Sequence, residues 1–114
     1  MIPSELIKGS LKTIVLKLLE DNGRMYGYEI TKRVEEITGG QIVLTYGALY
    51  PVLHKLEKEG VLNVESENYN NRMRIYYSLT PKGQSVVKEK IQEMTEFLKS
   101  VRNIIDPELK LGYE

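Results

Sequence analysis

The hydrophobic period of this chain changes twice, and that alternation limits the folds open to it. Leu11, Ile14, Val15, Leu18 and Leu19 recur at the spacing of one helical face. Tyr26, Ile30, Val34 and Ile37 repeat the pattern, with Glu29, Lys32, Arg33, Glu35 and Glu36 on the polar side. Leu49, Val52, Leu53 and Leu56 make a third such face. From Leu62 the period drops to two. Leu62, Val64 and Ser66 alternate with Asn63, Glu65 and Glu67, and Ile75, Tyr77 and Leu79 alternate with Arg74, Tyr76 and Ser78. Asn70-Asn71 lies between these runs and tolerates left-handed backbone, so a β-hairpin is expected. The helical period returns after Thr80.

Local signals set the boundaries. Asn22-Gly23, Gly39-Gly40 and Gly60 close the first three helices. Leu6 and Ile7 extend the first one upstream, with Ser4 as its cap. Gln41-Ile42-Val43-Leu44 is short and β-branched, which predicts a brief strand. Thr45 is a good N-cap for the third helix. Pro51 lacks the N–H that would pair with the Gly47 carbonyl, which predicts an irregular or kinked first turn there. Thr80-Pro81 opens the last helix with proline at its first position, where the missing donor is harmless, and Asp106-Pro107 stops it. The fold class is therefore mostly α with a small β-hairpin (α+β). The expected architecture is a winged helix-turn-helix over residues 1–80, a C-terminal dimerisation helix over 81–106 and a tail over 107–114.

Several functions are excluded by what the sequence lacks. With 114 residues the chain has room for one compact domain. There is no cysteine and a single histidine, His54, so thiolate chemistry is out and a metal would find too few nitrogen ligands. There is no phosphate-cradling glycine loop, and the carboxylates sit in solvated helical charge patterns. Neither an enzyme nor a cofactor is expected. No apolar run approaches the ~18 residues of a membrane span. The start Met1-Ile2-Pro3-Ser4-Glu5 has no secretory pattern, so the cytoplasm is expected.

The element order points to duplex DNA. An α-helix fits the major groove, and a hairpin directly after it lies against the backbone or in the minor groove. On the third helix Tyr46, Tyr50 and His54 step by four, with Lys55 close by, and all can donate hydrogen bonds to phosphates or bases. The same tyrosines would serve equally as half-buried packing residues. The chain carries 16 basic and 16 acidic residues, a balance that favours DNA binding only if positive charge is concentrated locally. It is: Arg72, Arg74 and Lys82 give +3 over a stretch with no acid. If the turn centres on Asn70-Asn71, Glu67 lies opposite Arg74 and could pair with it across the strands, which leaves Arg72 the better phosphate contact. A winged-helix module that binds protein instead of DNA is the alternative.

Val87, Ile91, Met94, Leu98, Val101 and Ile105 are spaced as the a and d positions of heptads, and Phe97 and Ile104 widen the stripe. A helix of ~25 residues spans ~37 Å, more than a small winged-helix body covers, so a homodimer is expected. A two-fold protein reads a palindromic operator, with half-sites ~34–36 Å apart.

Three segments together resemble the PadR family of transcriptional regulators. They are Tyr26-Gly27-Tyr28-Glu29-Ile30, the run from Gly47-Ala48-Leu49-Tyr50-Pro51 to Gly60, and Arg74-Ile75-Tyr76-Tyr77-Ser78-Leu79-Thr80-Pro81-Lys82-Gly83. The resemblance covers about Leu11 to Gly83. The short remainder is similar to the smaller branch of the family, with one C-terminal dimer helix. The resemblance implies a homodimeric repressor relieved by a small molecule or a stress signal. It implies a DNA-reading helix bearing Tyr46, Ala48, Tyr50 and Pro51 and a wing bearing Arg72 and Arg74. Thr45 at the helix cap, His54 and Lys55 further along the helix and Asn71 at the turn join them as candidate DNA contacts from their own positions. Two departures are visible: many relatives carry a denser Gly- and Arg-rich wing tip, and this chain has no Trp for stacking flat aromatic molecules. Met94 and Phe97 are then the residues that could line a pocket for a small apolar or aromatic effector, unless they serve only as interface core.

Overall fold

A computed structural model describes residues 1–109. The elements are α1 (Ser4–Lys8), α2 (Leu11–Asn22), β1 (Met25–Tyr26), α3 (Gly27–Ile37), α4 (Tyr46–Lys58), β2 (Leu62–Tyr69), β3 (Arg72–Leu79) and α5 (Pro81–Ile105). The last five residues of the expected 107–114 tail lie outside the described residues. Among the described residues, no helix is long and apolar enough to cross a membrane.

Helices α2, α3 and α4 bury most of the face their period marks. Leu16 and Leu19 of α2, Ile30 of α3 and Leu49, Leu53 and Leu56 of α4 are nearly inaccessible to solvent and share one core. Tyr77 of β3 and Val87 of α5 close that core from the sheet and from the last helix. The strands form an antiparallel sheet of order β1-β3-β2. Its inner face carries Met25, Leu62, Val64 and Tyr77, and its outer face Tyr26, Glu65, Glu67, Arg74 and Tyr76, as the register Met25↔Tyr77, Tyr26↔Tyr76 and Glu67↔Arg74 requires. Asn70 and Asn71 both have left-handed backbone, with φ of 48° and 63°. That is the two-residue turn whose twist matches a hairpin.

The structure differs from the sequence reading in four places. The strand lies at Met25–Tyr26, not at Gln41–Leu44. The 41–44 segment has no strand beside it. Its backbone is satisfied instead by the Ile2 N–H donating to the Gln41 carbonyl (2.7 Å) and the Ile42 N–H donating to the Thr38 hydroxyl (3.0 Å). Leu6 and Ile7 sit in a separate helix, α1, capped by Pro3 and not by Ser4; the chain breaks at Gly9 and Ser10, where the Ser10 hydroxyl donates to the Ile7 carbonyl. Ile37, expected to face inward, is 59% exposed at the end of α3. Helix α4 runs through Pro51 as one helix. Proline forfeits one hydrogen bond there, and the carbonyl it crowds belongs to Gly47, which has no side chain to add to the crowding.

The join between α4 and α5 is heavily tied. Gly60, with φ of 76°, takes the left-handed position after α4. The Thr80 hydroxyl donates to the Gly60 carbonyl (2.6 Å) and accepts from the Gly83 N–H (3.0 Å), capping α5. Lys82 Nζ donates to the Glu59 carbonyl (2.7 Å). Its charge therefore meets the negative end of the α4 dipole.

Candidate nucleic-acid interface

Helix α4 separates a buried face from an exposed one. Leu49, Leu53 and Leu56 point into the core, while Thr45, Tyr46, Gly47, Ala48, Pro51, His54 and Lys55 are exposed. The Thr45 hydroxyl accepts from the Ala48 N–H (3.2 Å), so it fixes the first turn and keeps its own proton for a donor role. Gly47 and Ala48 keep that end of the helix slim, so its backbone can approach a groove closely.

The three ring-bearing residues on α4 are not equivalent. Tyr46, Tyr50 and His54 follow one another in file with tilted rings, their centroids 5.7 and 6.1 Å apart. Tyr46 and His54 are exposed. Tyr50 is half-buried, packs on the core and lays its hydroxyl over Gly27 at the start of α3. A Cβ on Gly27 would come within 2.5 Å of that hydroxyl, so a side chain there would have to displace the Tyr50 ring. The packing role weighed for the tyrosines falls to Tyr50, while Tyr46 stays exposed.

On the wing, Asn71 and Arg72 are exposed at the turn. Arg74 is held back. Its guanidinium lies over the rings of Tyr26 (4.3 Å) and Tyr69 (3.9 Å), which are favourable cation–π positions. Glu67 does lie opposite Arg74, but its ion-pair partner is Arg24, which sequence reasoning missed. The Arg24 guanidinium also reaches Glu65 (3.8 Å) and lies over the Tyr76 ring (4.0 Å). The hydrogen bond from Arg24 holds the Glu67 carboxyl below the usual carboxylate range. Lys82, counted with the wing from its place in the chain, is engaged at the end of α4.

The heptad seam on α5 divides in two. Val87 is fully buried in its own domain and Ile91 packs against the same core, so Val87 is removed from the expected partner contact. Beyond Met94 the helix is largely exposed. Phe97 is 60% exposed, Leu98 45%, Ile104 82% and Ile105 76%, while Val101 is half-buried. Met94 lies between two surface grooves. One, of about 360 Å³, is lined chiefly by Ile14, Leu18, Val34, Ile37, Ile91 and Met94. The other lies between α1 and α5 and includes Leu6, Met94, Phe97 and Leu98. Among the described residues, no group of His, Cys, Asp and Glu is arranged to hold a metal ion.

Known proteins share this arrangement. Residues 15–89, from α2 into α5, match the transcriptional regulator PadR-like family. An uncharacterised protein of Lysinibacillus sphaericus is 32% identical over 107 residues, 93% of this chain and 94% of that protein. The structure of a transcriptional regulator from Clostridium thermocellum superposes with a TM-score of 0.78 at 33% identity, covering 90% of this chain and 98% of that one. A PadR family transcriptional regulator from Eggerthella lenta gives a TM-score of 0.72 at 29% identity, over 91% of this chain and 85% of that one. The winged helix, its wing and these matches agree: the chain belongs to the PadR-like family of transcriptional regulators.

Proposed function

We propose that this regulator binds a palindromic duplex operator as a homodimer in the cytoplasm and acts as a repressor. Helix α4 enters the major groove through Thr45, Tyr46, Ala48, Pro51, His54 and Lys55. Tyr50 contributes by setting the depth of α4 against Gly27. Asn71 and Arg72 meet the phosphates, with Arg74 braced behind them. The observation that carries this reading is the exposed stripe of α4. It is slim at its N-terminal end, basic towards its C-terminal end, and paired with an arginine-bearing hairpin. The apolar half of α5 beyond Met94 supplies a surface for the second copy. An uncharged apolar effector would fit the groove between α2, α3 and α5. There the rim charges Lys17 and Asp21 already pair with each other at 3.0 Å, and none is left over to hold an ionic ligand.

The test is a titration with duplex DNA at low and moderate salt, followed by selection of genomic fragments. A DNA binder loses affinity steeply as salt rises, because phosphate contacts release counterions. The zero net charge favours a second reading, a winged helix that docks protein. That module would show no DNA binding even in dilute buffer. Recovery of a palindromic fragment would settle the choice for DNA.

A further inference from the structure

We propose that Arg24 is a positioning residue for DNA binding, which acts by neutralising two carboxylates on the wing and does not itself touch phosphate. The proposal rests on the reading of the wing as a phosphate-contacting element. The outer face of the sheet carries Glu65 and Glu67 beside Arg72 and Arg74. Those four side chains sum to zero, a poor surface for a polyanion. Arg24, just before β1, makes the sum +1 and pairs with both acids.

Geometry confines it to that task. The guanidinium is engaged by Glu67 on one side and by the Tyr76 ring at 4.0 Å on the other. Glu67 lies three residues before Asn70, about 10 Å from the wing tip at ~3.4 Å per residue. That distance is well inside the Debye length of ~30 Å at 0.01 M salt, so in dilute buffer an uncovered carboxylate there repels phosphates at the tip, and the repulsion is screened as salt rises. The neighbouring arginine cannot replace Arg24, because Arg74 is held between Tyr26 and Tyr69. The two arginines therefore divide the wing's needs: Arg74 braces it with rings, and Arg24 masks its acids.

The experiment compares four full-length proteins on one duplex: wild type, Arg24→Gln, Glu65→Gln/Glu67→Gln, and the triple variant. Thermal melts confirm that each is folded. Arg24→Gln is expected to bind about three- to tenfold more weakly at low salt, with the deficit shrinking as salt rises. The double variant, left with an unopposed Arg24, should bind more tightly than wild type. The triple variant should return to wild-type affinity or better. A simple brace for the hairpin, or a direct phosphate contact by Arg24, would make Arg24→Gln cost as much affinity in the background without Glu65 and Glu67 as it costs in the wild type, and that result overturns the proposal. Unchanged binding by Arg24→Gln overturns it equally. Failure of the wild type to bind any duplex would bring down the DNA reading itself, and the masking role with it.

Discussion

Tyr50 and Gly27 act as one unit at the residue scale. The hydroxyl of one occupies the space that a side chain on the other would need. Gly27→Ala is therefore expected to destabilise the chain by ~1–3 kcal/mol, the usual cost of overpacking. Adding Tyr50→Phe should recover part of that loss, because it removes the crowded oxygen. Melting curves of the single and double variants check this, and no recovery would mean the strain lies elsewhere. Tyr77 gives a second prediction. Burial raises its phenol pKa above the ordinary value, with Tyr50 and Glu57 adding to the shift. The folded chain thus keeps a proton that the unfolded chain releases near pH ~10. The associated stability is fully present below that pH and is lost as pH rises through the folded pKa. Urea midpoints should fall as pH rises past about 10, and less so in Tyr77→Phe. Sequence alone placed Tyr77 on the inward face through strand alternation. It could not show that Tyr50 turns inward, since a helical wheel puts that residue on the border between the two faces of α4.

The wing shows, at the scale of elements, what was legible and what was not. Period-two alternation and Asn70-Asn71 located the hairpin, its turn and the Glu67↔Arg74 register correctly. The partners came out otherwise because β1 was invisible: two residues are too few to show a period, and Met25–Tyr26 reads as the lead-in to α3. Missing β1 also hid Arg24, which only its neighbour strand brings over the sheet. In the other direction, 41–44 has strand composition but no strand to pair with. These placements predict unequal arginines. Arg72→Ala should weaken binding to all duplex sequences and reduce the salt slope by about one. Arg74→Ala should loosen the wing, so that a melt detects it before a salt titration does. Equal effects on the salt slope would put both side chains on phosphate.

For the whole molecule, dimensions of 52 × 30 × 22 Å describe a body with an arm. The heptads on α5 predicted one continuous seam, yet its first part faces inward. Spacing could not reveal this, because an a/d stripe looks the same whether its own domain or a partner covers it. What remains outside is apolar and centred near Leu98. Leu98→Glu should therefore give monomers in sedimentation with the fold retained, since Leu98 is 45% exposed in the single chain. A dimer that persists would place the contact elsewhere. The monomer should also bind operator far more weakly than it binds as a pair, because one half-site carries only half the phosphate contacts.

The knot where α4 hands over to α5 bears on how the proposed pair would measure DNA. Thr80 and Lys82 clasp the Gly60 and Glu59 carbonyls just past α4, and a Cβ on Gly83 would collide with the Val61 carbonyl oxygen. The arm is tied at its shoulder, so the proposed two-fold pair would act as a calliper with a fixed gap. Inserting about five base pairs between half-sites, half a turn of the duplex, should abolish tight binding, whereas a full turn should not restore it. Gel-shift assays on operators of graded length would read that gap directly.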